Sequence, residues 1–404
     1  MDDRKRVCII GAGAVGRVTT HKCAQHEDVF SEICLASRTL AKCEKIASEL
    51  KRLIRTEALD AEDIPATVAL LRDFKPDIVI NVAQPYQNLA IMEACLEVGV
   101  DYIDTACYEP REAPDFHYGW QWAYHDRFVE RGLMALLGCG FDPGVTNAWA
   151  KKAKKDYFNR IDELDIVDIN GGSHGQAFAT NFNPETNIRE ITKPCRHIED
   201  GNIVETPPFS TKRYFRMPGH ETVYSVYRLW HEELETITKF IPEIRNARFW
   251  MSFSESYLQT LDVLQKVGMT SIEPIDFKGQ KIVPLEFLKA VLPDPATLGE
   301  SSHGPLWIGD ILRGEGKDGR PRQVCFYCQT THEHAYADTR ANGVAYTAGV
   351  PPASAAILMV KGIWRQPGTI CVEQLDPDPF LDQVAHDGLP WQVLEDTNPG
   401  WVDG

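Results

Sequence analysis

The sequence contains no tract rich in glycine and serine, no internal repeat and no low-complexity segment. A string of flexibly tethered modules is therefore excluded, and domains that interleave along the chain are expected instead. No apolar run approaches the roughly 18 residues that a membrane span requires, so no membrane association is expected. Positive charge is scarce: 42 Lys and Arg against 58 Asp and Glu leave a net charge of −16. A nucleic-acid backbone needs basic patches, so nucleic acid is not an expected partner. The eleven cysteines are odd in number and scattered, which argues against a complete disulfide framework. Cys8, Cys34 and Cys95 sit inside apolar patterns and read as reduced thiols acting as small hydrophobes. The opening Met-Asp-Asp-Arg-Lys-Arg runs straight into an apolar strand, leaves no room for a signal peptide, and gives a cytoplasmic expectation.

What is present is enough apolar residue, 43% of 404, to build two or three cores. The first begins at once. Arg6 to Ile10 reads as a strand, Gly11-x-Gly13-x-x-Gly16 as a turn, and the residues to Ala24 as a helix. Further strands at Glu32 to Ala36, Ile78 to Val82, Asp101 to Asp104 and Leu133 to Leu137 alternate with helical segments. The alternation implies an α/β fold with a Rossmann-type, doubly wound parallel sheet over about residues 1–145. Longer strand-like stretches follow, at Glu163 to Asn170, Phe249 to Ser254 and Gln323 to Thr331. They predict a second, α+β mixed-sheet domain over 146–345. A C-terminal return, 346–404, is expected to pack on the first domain through a helix starting near Pro351, where proline suits a first turn.

A glycine triplet alone is a weak signal. Here it follows a strand and opens a helix, so the glycines can make the turn, admit a pyrophosphate and allow close packing, while the helix amides bind the anion. Gly11, Gly13, Ala14, Val15 and Gly16 are the expected dinucleotide contacts. The end of the second strand chooses the cofactor. An acid there would bind the ribose hydroxyls of NAD, yet the stretch is Ala36-Ser37-Arg38-Thr39. Arg38 can fork onto a 2′-phosphate while Ser37 and Thr39 donate hydrogen bonds, so NADP is expected.

Further motifs make the pattern specific: Asn81-Val-Ala83-Gln84-Pro85-Tyr86, Asp101-Tyr-Ile-Asp104-Thr105, and Gly138-Cys-Gly140-Phe-Asp142-Pro143-Gly144. With the glycine loop and Arg38-Thr39, they make the chain resemble the saccharopine dehydrogenase-like family. Asn181 to Glu190, His231-Glu232-Glu233, Asp376 to Phe380 and Gly388 to Trp391 resemble its carboxynorspermidine/carboxyspermidine dehydrogenase branch. The resemblance implies NADPH-dependent reductive coupling of aspartate β-semialdehyde with a diamine, 1,3-diaminopropane or putrescine, in polyamine biosynthesis. Carboxynorspermidine or carboxyspermidine would be the product, and a homodimer the expected assembly. The rival enzyme reading is a saccharopine reductase coupling a semialdehyde to glutamate; the rival from another class is a non-catalytic NADP sensor.

Ligands of open α/β sheets bind at the carboxyl ends of the strands. Asp104 and Asp142 are accordingly the expected stabilisers of an iminium. Asn81, Ala83, Gln84, Pro85 and Gly140 are expected beside the cofactor. Asp142 has a competing reading as the cap of the following helix, since Asp often precedes a helical proline. Arg189 is the leading anchor for a substrate carboxylate, because its planar fork matches one; Tyr86, Asn181, Asn187 and Glu190 complete the expected substrate contacts. Glu185, Glu190, Glu232 and Glu233 are candidates to meet the distal ammonium. Cys325-x-x-Cys328 with His332 and His334 suggests a metal site. Strand alternation would point the two cysteines to opposite faces. Cys328, His332 and His334 could share a face, but the resemblance needs no metal and none is expected.

Overall fold

Short apolar runs bounded by glycine, proline and polar turns become the strands of the first sheet. A computed structural model describes residues 3–111 and 116–403. It contains β1 (Lys5–Ile10), β2 (Phe30–Ser37), β3 (Arg55–Ala58), β4 (Ile78–Asn81), β5 (Asp101–Asp104) and β6 (Met134–Leu137). All pair in parallel in the order β6-β5-β4-β1-β2-β3, and a late strand, Gly368–Cys371, extends the β6 edge. The helices α1 (Ala14–Gln25), α2 (Leu40–Glu49), α3 (Ile64–Phe74) and α4 (Asn88–Val98) connect β1 to β5. The strand order reverses beside β1, and the crevice outside the carboxyl ends of β1 and β4 is where such sheets bind ligands. β3 was not anticipated: it has four residues, Arg-Thr-Glu-Ala, with no apolar pattern to reveal it.

The second sheet is mixed and has ten strands, built around β7 (Phe158–Asn170). β7 pairs in parallel with Asn246–Ser252 and antiparallel with Pro305–Gly316, which in turn pairs with Pro321–Thr331. The last strands, Trp391–Glu395 and Trp401–Val402, join its two ends. After residue 346 the chain therefore contributes to both sheets.

The helix expected to begin near Pro351 spans Gly343–Val360 and holds Pro351 and Pro352 in its interior. Its start is set instead by Asn342, whose side chain accepts the Ala345 amide. This helix is long and apolar enough to cross a membrane, which corrects the reading that no such run exists, and 83% of it is buried. Its apolarity is explained by its place: a Cβ on Gly349 would lie 2.6 Å from Val18 of α1, and Thr19 donates to the Gly349 carbonyl. Proline nitrogens cannot donate, so the carbonyls of Thr347 and Ala348 lose their usual helical partners.

Candidate active site

A cleft of about 910 Å³ runs from the glycine loop of the first domain to the second sheet. At its first end, Gly11 has φ of +117° and lies so close to Val82 that a Cβ would meet its carbonyl oxygen at 2.6 Å. A Cβ on Gly16 would meet the Gly11 carbonyl oxygen at 1.9 Å. Gly13 differs: nothing lies within 4 Å of a Cβ built there. That open space sits before the amides of α1, whose N-cap is Gly13 with no capping side chain, as a pyrophosphate cradle requires. Gly11, Gly13, Ala14 and Val15 line the cleft, and Gly16 supports the turn from below. Ser37, Arg38 and Thr39 line the same end. Thr39 caps α2 without a side-chain bond, so its hydroxyl is available to a phosphate. The residues present fit NADP.

Ala83, Gln84, Pro85 and Tyr86 form the next stretch of wall. Asn81 lies beneath it: its Oδ1 accepts the Ala83 amide, and its Nδ2 donates to Asn88 and Tyr102. It shapes the turn and is absent from the lining, which corrects its expected cofactor contact. Tyr86 carries the Arg111 guanidinium over its ring at 3.7 Å. Thr186 donates to Gln84 Oε1 at 2.9 Å and ties the two halves together.

The loop after β6 closes on itself, with the Gly140 amide donating to the Pro143 carbonyl at 2.7 Å. Gly144 has φ of +132°, and a Cβ there would meet the Gly140 carbonyl oxygen at 2.1 Å. The tight loop presents Gly140, Phe141, Asp142 and Pro143 to the cleft. Asp142 does not cap the next helix: that helix is Val145–Asp156, and its cap is Gly144, whose amide donates to Asn147. One Asp142 oxygen, Oδ2, is buried without a hydrogen-bond partner. Asp104 is not at the surface of the cleft. Gln121 donates to one of its oxygens at 2.6 Å and the Gly138 amide to the other at 2.8 Å. Burial raises its carboxyl to about 8. It holds the loop in place from behind, which corrects its expected contact with the reacting group.

Around Asp142 the wall is acidic. Asp168 on β7, Glu190 and Glu232 line it with His231. His231 is clasped by Glu190 at 3.0 Å and by Glu233, and stacks on Phe249 at 4.2 Å. Burial alone would lower the imidazole, but Glu233 and Glu190 outweigh it and raise its titration well above the usual range. Burial pushes Asp168 up to about 7 and Asp142 well above the usual carboxylate range, each beside further acids. Carboxylates packed this closely favour a cation between them. Lys193 lines the same cleft beside Glu190 and Glu232, over the Phe116 ring at 2.9 Å, and burial lowers it to about 8.

Asn181 to Glu190 divides. Its helix, Pro184–Thr192, sends Glu190 into the cleft but turns Arg189 away. Arg189 is buried; it pairs with Glu109 at 2.6 Å and donates to the carbonyls of Pro110 and Arg111 at 2.8 Å each. Asn187 accepts from Tyr257, Asn181 accepts Asn342 through its carbonyl, and neither lines the cleft. The expected anchoring roles of Arg189 and Asn187 are therefore corrected, since their side chains are bonded within the fold. The expected role of Asn181 is corrected too: it is held through its backbone carbonyl and lies outside the lining, with its side-chain Oδ1 buried and unpartnered. An Arg189→Met variant is expected to lose about 3 kcal/mol of stability, because Glu109 is left buried without its partner. Urea unfolding measures that loss, and KM for a carboxylate substrate should move less than about threefold.

Asp168 and Lys193 escaped the sequence reading. Alternation along β7 was visible, but nothing in it says that position 168 faces a cleft. Cys325 and Cys328 belong to separate buried clusters on opposite faces of their strand, and all eleven cysteines are free and buried. His332 is engaged at both nitrogens, by Asn170 and by the Gly343 amide.

Comparison with known proteins decides the family. The saccharopine dehydrogenase NADP binding domain matches residues 7–136, and the saccharopine dehydrogenase C-terminal domain matches residues 140–389. The chain belongs to the saccharopine dehydrogenase family. It is an NADP-dependent oxidoreductase acting on CH–NH groups. Carboxyaminopropylagmatine dehydrogenase of Synechocystis sp. is 52% identical over 390 residues, 96% of this chain and 97% of that protein. Carboxynorspermidine synthase of Vibrio cholerae is 40% identical over 98% of both chains. Saccharopine dehydrogenase (L-Glu forming) from Saccharomyces cerevisiae shares the fold, with a TM-score of 0.70 at 16% identity over 96% of this chain and 100% of that one.

Proposed function

We propose that the enzyme couples an aldehyde-bearing amino acid, aspartate β-semialdehyde, to a cationic amine through an imine and reduces that imine. Agmatine is the first amine to test, since it stands in the name of the 52% identical relative; 1,3-diaminopropane and putrescine are the diamines expected from the sequence. The observation that carries this reading is the acidic wall of Asp142, Asp168 and Glu190, with one Asp142 oxygen buried and unpartnered. A glutamate co-substrate, as in a saccharopine reductase, would bring two carboxylates against that wall.

The amine nitrogen adds to the aldehyde carbon, water leaves, and the protonated imine carries the positive charge. Asp142 and Asp168 favour that cation and keep its nitrogen protonated. Glu190, held by His231, faces the distal cation of the amine. Lys193 replaces Arg189 as the anchor for the amino-acid carboxylate. Bound NADPH supplies the hydride that converts the imine carbon to a secondary amine. What the protein contributes is placement, holding the carbon within about 3 to 3.5 Å of the donor and excluding water.

Calorimetry of the NADP-loaded enzyme tests the binding part. Agmatine is expected to bind and glutamate not to; the reverse order overturns the reading. Agmatine keeps both charges between pH 6 and 8. Asp168 loses its charge as pH falls through about 7, so agmatine affinity is expected to weaken below that pH, by up to about tenfold per unit. The acids around His231 titrate as a set, so the slope belongs to the set. Asp168→Asn should flatten it; an unchanged slope in that variant would assign the dependence elsewhere.

A further inference from the structure

Lys42 is a cationic residue of the cofactor end that the sequence motifs do not single out. It lies in the first turn of α2, three residues beyond Thr39, and lines the cleft with Ser37, Arg38 and Thr39. Its ammonium is paired with Asp294 Oδ2 at 2.7 Å, and both side chains are nearly half exposed. Asp294 is held by its other oxygen, Oδ1, which accepts the Ala296 amide at 3.0 Å. The carboxylate is thus anchored to its own loop, while the lysine swings on a flexible stem.

We propose that Asp294 is an internal stand-in for the 2′-phosphate of NADP, and that Lys42 exchanges one anion for the other when the cofactor binds. The lysine then adds a second cation beside Arg38, so Lys42 selects NADP over NAD. Asp294 opposes that selection from close range: its charge competes for the lysine and repels the phosphate. The exchange keeps NADP affinity below what Arg38 and Lys42 would otherwise give, which favours release of the oxidised cofactor after each turnover. An exposed ion pair is weak enough to be broken by a doubly charged phosphate.

The test is equilibrium binding of NADPH and NADH to the cofactor-free protein, followed by nicotinamide fluorescence. Lys42→Met should weaken NADPH binding about tenfold and leave NADH unchanged, because only NADPH carries the phosphate. Asp294→Asn keeps the acceptor for Ala296 and removes the charge, so NADPH binding should tighten by about twofold to fivefold, again with NADH unchanged. Equal weakening of both cofactors in Lys42→Met would show that the lysine merely supports the fold. NADPH affinity unchanged or lowered in Asp294→Asn would overturn the exchange.

Discussion

An Asp168→Asn variant is expected to lose about a hundredfold in kcat/KM for the cationic amine, roughly 3 kcal/mol, while binding NADPH as the parent does. The asparagine has nearly the same shape, so the lost term is charge: the variant meets the substrate cation and the protonated imine with a neutral amide. The same substitution should raise thermal stability above pH 7. Burial raises the Asp168 carboxyl to about 7 in the folded protein, against about 4 in an unfolded chain. The folded state therefore binds more protons between those values, and stability falls as pH rises through that window. Asparagine removes the destabilising charge. A variant that is more stable and far less active is the signature of a group kept for function. If Asp168→Asn lost stability and activity together, the acid would be a structural one.

The second large effect concerns the glycine loop. Gly13→Val should abolish measurable NADPH binding, a loss of at least about a hundredfold, with the melting temperature nearly unchanged. Position 13 has φ of −84°, which any residue adopts, and no atom lies within 4 Å of its Cβ. The new side chain would fill the space the pyrophosphate needs and touch nothing else. Gly16→Ala supplies the contrast. Its Cβ would come within 1.9 Å of the Gly11 carbonyl oxygen, so that variant should lose stability first and binding as a consequence. Thermal melts run beside cofactor titrations separate the two glycines; similar melts for both would refute the assigned division between cradle and packing.

Much of this architecture was legible because its signals are local. Strand, glycine turn and helix follow one another within residues 5 to 25, and the absence of an acid at Ser37-Arg38-Thr39 depends on three neighbouring residues. The substrate end was less legible because it is assembled across the fold. Asp142 follows β6, Asp168 lies on β7, Glu190 on Pro184–Thr192 and His231 after Val223–Leu229. Sequence showed each as one polar residue among many. It also favoured Arg189 for its chemistry, and helical geometry decided against it: adjacent residues on a helix face about 100° apart, so Glu190 reaches the cleft while Arg189 reaches Glu109. Asp104 failed similarly. Its strand end was placed well, but Gln121 and the Gly138 amide already claim both oxygens. Pro351 misled because proline usually opens a helix, whereas here Asn342 opens it nine residues before the first of two interior prolines.

The measurement that tests the central claim most directly is loss of NADPH absorbance with aspartate β-semialdehyde and, in turn, agmatine, 1,3-diaminopropane, putrescine and glutamate, with mass analysis of the product. The acidic wall of Asp142, Asp168 and Glu190 predicts rapid oxidation with a cationic amine, a product whose mass equals amine plus aldehyde less water plus two hydrogens, and no turnover with glutamate. Turnover with glutamate and silence with all three cationic amines would contradict it.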